Sequence, residues 1–87
     1  MYELHIKKSV TSFLTNPKAL SRKNAVALSR RIEELRENPR PHDSEQMKKF
    51  VRRFRLTQGE YRILYEIDEE AKIVTVVHAG HRKDVYQ

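Results

Sequence analysis

The sequence predicts one small α+β domain, in which a helical hairpin packs on one face of a sheet of about four antiparallel or mixed strands. Three observations support this. Apolar and polar residues alternate at the N-terminus and again after residue 50, as in half-buried strands. Two stretches between these regions carry apolar residues at helical spacing. Each helical stretch ends at an Asn-Pro dipeptide, which predicts the order β-α-α-β-β-β within a single domain of residues 1–87.

The elements before residue 50 follow from local patterns. The first strand is indicated by three apolar residues that alternate with polar ones, Tyr2, Leu4 and Ile6. A short helix is expected from Ser9, as its N-terminal cap, to about Thr15. A longer helix is expected from about Ser21 to Glu37, with an apolar face made of Ala25, Leu28, Ile32 and Leu35.

The stretch from Val51 to Tyr65 predicts two strands joined by a short loop. If the loop is Thr57 to Glu60, Arg55 lies opposite Arg62. The second of these strands alternates so that one set of side chains points towards the helices, namely Tyr61, Ile63, Tyr65 and Ile67. The β-branched run from residue 73 to residue 77 predicts a last, central strand that is buried on both faces and ends at Gly80.

Three arginines share one face of this predicted hairpin, because side chains alternate along a strand: Arg53, Arg55 and Arg62. Like charges that lie directly opposite each other destabilise a sheet. Their presence therefore suggests a bound anion, and our hypothesis is an RNA phosphate. A solvated basic face explains the same pattern without any ligand.

The net charge of the chain is positive, and the basic residues are concentrated in one segment. Eighteen Lys and Arg against twelve Asp and Glu give +6, and the segment from Lys48 to Arg62 holds six basic residues and one acid. A localised basic stripe is typical of a nucleic-acid-binding protein. It also fits an acidic protein partner or an anionic membrane surface.

Several classes of site are excluded by composition. The chain has no cysteine, which rules out disulfides and thiolate zinc sites and is compatible with a reducing cytoplasm. Its four histidines lack metal-ligand spacing, and its two glycines form no phosphate-binding loop. No apolar run approaches the roughly 20 residues of a membrane span, and no signal-peptide pattern is present. We therefore expect no metal, no cofactor and no membrane association.

The remaining residues suit the cleavage of RNA without a metal. The 2′-hydroxyl must lose a proton and attack the phosphate, the phosphorane needs a countercharge, and the leaving 5′-oxygen needs a proton. Guanidinium groups suit the countercharge because they are planar, charged and bidentate to phosphate. An aromatic ring can stack on a splayed base. The candidate set is Arg53, Arg55, Arg62, His81, Arg82, Lys83 and Tyr86.

Two motifs in this order, QGEYRILYEID and GHRKDVY, resemble the RelE-type toxins of the RelE/ParE superfamily, and the segment NPRPHD fits as well. The resemblance implies a toxin of a type II toxin–antitoxin system. Such toxins cut mRNA in the ribosomal A site and leave a 2′,3′-cyclic phosphate and a 5′-hydroxyl. The implied partners are the ribosome, mRNA and an acidic antitoxin, with operator DNA reached through the antitoxin.

The resemblance also implies roles for single residues. Arg62 matches the family arginine that stabilises the transition state. Arg82 matches the arginine that is assigned to protonating the leaving oxygen. Tyr86 matches the tyrosine that stacks on the substrate and orients it. Arg53 and Arg55 fall where well-studied members carry two lysines, one of them a proposed general base; here, with Lys83, they are expected to bind RNA.

Arginine is a poor base because it keeps its proton at physiological pH. We therefore take His81 as the candidate base, against the alternative of an exposed histidine without a role. His78, within the predicted central strand, is expected to be structural.

Two other functions stay open at this point. A ParE-like protein would poison DNA gyrase without cutting RNA. A catalytically inactive relative would only pair with the antitoxin and operator DNA, and the arginines at positions 53 and 55 keep that alternative open.

Overall fold

The computed structural model describes residues 1–49 and 52–83. Its elements are β1 (Glu3–Ile6), α1 (Lys8–Leu14), α2 (Arg22–Glu34), β2 (Glu45–Gln46), β3 (Arg53–Gln58), β4 (Tyr61–Asp68) and β5 (Ile73–His81). The strands form one sheet in the order β1-β5-β4-β3-β2, in which β1 is parallel to β5 and the other neighbours are antiparallel. The predicted α+β class is confirmed, with five strands instead of about four.

The hydrophobic core lies between the two helices and one face of the sheet, called the helix face below. The helices contribute fully buried side chains, namely Val10, Leu28 and Ile32, and Leu35 joins them just after α2. The sheet contributes Phe54, Leu56, Ile63, Tyr65, Ile67, Val74, Val76 and Ala79. The predicted orientation of β4 is confirmed, because its buried core residues are the alternate ones.

The helix ends differ from the prediction where the capping chemistry differs. Helix α2 begins after Ser21, whose hydroxyl accepts a hydrogen bond from the Asn24 N–H at 3.2 Å, and it stops at Glu34 rather than Glu37. In α1 the N-cap is Lys7, without a side-chain cap, so the prediction of Ser9 as the cap is wrong. Among the described residues no helix is both long and apolar enough to cross a bilayer.

The predicted register of the β3–β4 hairpin is wrong by two residues. The turn consists of Gly59 and Glu60 only, so that Gln58 pairs with Tyr61 and Thr57 pairs with Arg62. Gly59 adopts a φ of 60°, which the first central position of a tight type II′ turn requires and glycine adopts without strain. A shift of two residues keeps every side chain on its predicted face, but it moves Arg62 away from Arg55.

Strand β5 contains a β-bulge at Val77. Leu64 pairs with His78, whereas the next residue of β4, Tyr65, pairs with Val76, which leaves Val77 as the extra residue. As a result, both Val76 and Ala79 face the core, although simple alternation would put them on opposite faces. The expectation of burial on both faces is also wrong, because His78 is exposed, and β5 continues past Gly80 to His81.

The loop after α2 is fastened to the sheet by a buried tyrosine. The Tyr65 hydroxyl donates to the Pro39 carbonyl at 2.8 Å, and burial raises the pKa of Tyr65 to about 12. Further along the loop, the Arg31 guanidinium donates to both oxygens of Asp43 at 2.9 Å. That hydrogen bond lowers the pKa of Asp43. These contacts place β2 at the edge of the sheet beside β3.

We predict that Tyr65→Phe destabilises the domain by about 1–3 kcal/mol, because the buried Pro39 carbonyl loses its donor while the ring still fills its site. Urea unfolding followed by circular dichroism measures this. Tyr2→Phe removes a hydroxyl that bonds Glu69 at an exposed position, and it should cost clearly less. Equal losses in the two variants would contradict the anchoring role of Tyr65.

Candidate functional site

The face of the sheet opposite the helices carries Arg53, Arg55 and Arg62, and we call it the arginine face. Along β3 and β4, Arg53 lies opposite Glu66 and Arg55 lies opposite Leu64. Arg62 lies between Thr57 on one side and Gly80 of β5 on the other. The prediction that three guanidinium groups share one face is therefore confirmed, but none of them lies directly opposite another.

Carboxylates accompany the arginines on this face. Arg53 donates to Glu66, with 2.6 Å between Nη2 and Oε2, and Arg55 forms an ion pair with Glu45 of β2. The argument from unrelieved repulsion is thus wrong for this hairpin. Glu45 could not be predicted as a partner of Arg55, because a two-residue strand such as β2 has no periodicity to detect.

The electrostatics around Glu45 show how close the positive charges lie. The hydrogen bond from Arg55 lowers the pKa of Glu45 and is the largest cause of the shift. The charge of Arg62 lowers this pKa as well, although Arg62 is on the next strand but one. Glu45 therefore stays ionised near neutral pH and competes with any external anion for this part of the arginine face.

Thr57, Gly80 and Leu64 lie around Arg62 on the arginine face. The Arg62 guanidinium donates to the Thr57 hydroxyl at 2.7 Å, which holds it along the sheet surface. Its other neighbour, Gly80, has no side chain and is buried. The next residue of β4 on this face is Leu64, which is 7% exposed although it lies outside the core cluster. Arg55 and Arg62 thus lie beside two buried residues, Leu64 and Gly80.

Arg82 lies at the end of the sheet, just beyond the pairing of Arg62 with Gly80. Its backbone N–H donates to the Glu60 carbonyl at 2.8 Å, which continues the β4–β5 pairing one step beyond Tyr61 and His81. Its Nε is 3.1 Å from Glu60 Oε1, and its side chain is half exposed. Lys83 follows at an exposed position.

The structure does not bring His81 onto the arginine face. His81 pairs with Tyr61, and the two rings are 5.7 Å apart in an edge-on arrangement. Tyr61 in turn contacts Phe13 of α1, with 6.1 Å between ring centroids, and packs against the core. His81 therefore lies on the helix side of the sheet end. The predicted role of Tyr86 falls on a residue outside the described ranges.

The described residues offer no grouping suited to a metal. In the ranges 1–49 and 52–83, no three His, Asp or Glu side chains come together as ligands would. The arginine face carries three guanidinium groups in a row, with a fourth at the sheet end, and guanidinium groups are of a kind that binds phosphate. The carboxylates beside them set the net charge that an incoming phosphate meets.

Comparison with known proteins identifies the family and the fold. The model of the family described as the ParE toxin of the type II toxin–antitoxin system, parDE, matches residues 5–86. No curated protein sequence gives a significant match. Among solved structures, the isolated RelE toxin of Escherichia coli superposes with a TM-score of 0.76 at 20% identity, covering 99% of this chain and 92% of that one.

Two further structures have the same fold. The RelBE2 toxin–antitoxin complex from Mycobacterium tuberculosis matches with a TM-score of 0.70 at 23% identity, covering 93% of this chain and 98% of that chain. The archaeal RelE–RelB complex from Pyrococcus horikoshii matches with a TM-score of 0.73 at 20% identity, covering 97% and 98%. At these identities the likeness establishes the fold.

We predict that Glu45→Gln strengthens binding of single-stranded RNA, because Arg55 loses its ionic partner and the face gains one unit of positive charge. The salt dependence should steepen by about 0.7 in log–log slope for each added phosphate contact. Fluorescence anisotropy at several salt concentrations measures both. Glu34→Gln on exposed α2 makes the same change in net charge away from this face. Equal gains in the two variants would show that only overall charge matters.

Proposed function

We propose that this chain, which belongs to the ParE toxin family of type II toxin–antitoxin systems, is an endoribonuclease that cuts messenger RNA on the ribosome. The observation that carries the proposal is that Arg55 and Arg62 lie on one face of the sheet beside Leu64 and Gly80, with Arg82 at the adjoining sheet end. Several guanidinium groups on one face can bind a phosphodiester together, since each is planar, always charged and bidentate to phosphate.

In the proposed reaction, the phosphate next to the cut lies against Arg62 on the arginine face. Arg62 donates to its non-bridging oxygens, and fixed positive charge there becomes more favourable as the phosphorane gains negative charge. The 2′-oxygen attacks phosphorus, the bond to the 5′-oxygen breaks, and a 2′,3′-cyclic phosphate forms. Arg82 supplies the proton for the 5′-oxygen and regains one from water, since an alkoxide is a stronger base than guanidine.

The remaining residues take supporting roles in this proposal. Arg53, Arg55 and Lys83 hold the RNA backbone on either side of the cut. Tyr86 stacks on a base and fixes its direction. The Arg55–Glu45 pair is exposed, and exposed ion pairs contribute little to stability, so a phosphate can displace Glu45 from Arg55 at small cost. The Arg53–Glu66 pair is half-buried, so its displacement costs more. The proposed site of action is the ribosome in the cytoplasm.

An antitoxin is the proposed partner that keeps this activity in check. The RelBE2 and Pyrococcus horikoshii structures are toxin–antitoxin complexes. With a net charge of +6, this chain suits an acidic, disordered antitoxin segment that folds over the arginine face. Binding of operator DNA would then proceed through the antitoxin.

The family description itself favours a second candidate, an inhibitor of DNA gyrase of the ParE kind. The two functions make different demands on the chain. A gyrase inhibitor needs a surface that binds the enzyme, but it has no need of several arginines on one face of the sheet. Incubating the purified protein separately with translating ribosomes and with gyrase, and following mRNA cuts and DNA supercoiling, separates the candidates. An inactive relative would show neither effect.

We predict that Arg62→Ala lowers the rate of mRNA cutting by about 10²–10³-fold, because a fixed donor to the phosphorane is lost. The fold should persist, since Arg62 lies on the arginine face outside the core. Primer extension on messages translated in a purified system measures the cuts. Arg30→Ala, at an exposed position of α2, serves as the control and should cut normally. Unchanged cutting by Arg62→Ala would remove its assigned role.

A further inference from the structure

We propose that His78, rather than His81, is the general base that takes the proton from the 2′-hydroxyl. This inference rests on the proposed nuclease function and supplies the group that the arginines cannot provide, because guanidinium keeps its proton at physiological pH. His78 lies in the stretch for which the sequence pattern predicted a central strand buried on both faces.

The bulge at Val77 turns His78 towards the arginine face. Val76 faces the core, Val77 is the extra residue, and His78 lies directly opposite Leu64, which is on the arginine face. Ala79 then returns to the core. The exposure of His78 agrees with this orientation, since a side chain on the helix face at this point of β5 would be covered.

His78 lies on the same face of the sheet as Arg62 and close to it. Because Arg62 pairs with Gly80, His78 is its diagonal neighbour on β5, and such neighbours are about 7–8 Å apart between Cα atoms. Gly80 contributes no side chain to the space between them. Arg55 lies across Leu64 from His78, about two strand spacings or roughly 10 Å away. A phosphate on Arg62 and Arg55 therefore has its ribose within reach of the His78 ring.

The two histidines differ in how their ring nitrogens are engaged. At His81, Nδ1 accepts a hydrogen bond from the Lys83 N–H at 3.2 Å, and Nε2 is 3.9 Å from Glu60 Oε1. For His78, no hydrogen bond or ion pair exists to any residue in the ranges 1–49 and 52–83. Imidazole exchanges protons near neutral pH, so a ring with an available nitrogen suits the role of base.

The charged groups around His78 are mainly positive. On β4 its two diagonal neighbours are Arg62 and Glu66, and Glu66 is paired with Arg53. On the other side of β5, Lys7 follows β1 and its backbone N–H donates to the Val76 carbonyl at 3.1 Å. The protons of the reaction also balance. His78 receives the 2′-hydroxyl proton and releases it to water, while the 5′-oxygen receives its proton from Arg82.

The test is the single-turnover rate of mRNA cutting by full-length variants in a purified translation system, measured across pH. We expect His78→Gln to lower this rate by about 10²–10⁴-fold with little change in the concentration needed for half-maximal cutting. A base that has lost its proton makes the wild-type cutting rate constant at higher pH, and we expect His78→Gln to lack this plateau. His81→Gln should still show the plateau. His42→Gln, in the exposed loop before β2, is the matched control for the substitution itself.

The outcomes separate this inference from the function on which it rests. If the wild type leaves translated messages uncut, both the proposed nuclease function and the assignment of His78 as the base are wrong. If the wild type cuts and His78→Gln cuts equally well with the same pH profile, only the assignment of His78 falls. Circular dichroism and unfolding of His78→Gln show whether it keeps the wild-type fold; an inactive variant that is folded and still binds RNA supports the inference.

Discussion

One extra residue in β5 determines which side chains meet on the arginine face. Counted from Val76 by simple alternation, His78 would lie in the core and His81 would lie on the arginine face. The bulge at Val77 reverses this order, and it sets Gly80, which has no side chain, opposite Arg62. Bulges commonly redirect side chains next to functional sites. The proposed catalytic arrangement therefore depends on this irregularity in backbone pairing.

The second constraint is electrostatic. Arg53, Arg55 and Arg82 each have a carboxylate neighbour, contributed by Glu66, Glu45 and Glu60. These carboxylates relieve the repulsion that a row of arginines would create when no RNA is bound. The pairs of Arg55 and Arg82 are exposed, and exposed ion pairs are weak, so a polyanion with several phosphates can replace them together. The same face can thus be stable in the free protein and still bind RNA or an acidic antitoxin segment.

The sequence predicted features that depend on neighbours along the chain. Helical spacing located the buried face of α2, and alternation located the core side of β4. Features set by a single residue or by distant pairing were not accessible. Gly59 allowed a two-residue turn that shifted the register, and β2 is too short to show a period. The bulge at Val77 and the carboxylate partner of Arg55 follow from the assembled sheet, so a local pattern could not show them.

The most direct test of the central claim is a crystal structure of the protein with an RNA in which the 2′-hydroxyl at the cut is replaced by hydrogen. The account predicts that the phosphate beside this position lies over Leu64 and Gly80, bonded to Arg62, with the 2′-carbon facing the His78 ring. A phosphate bound on the helix side near His81, or one bound away from Arg62, would contradict it.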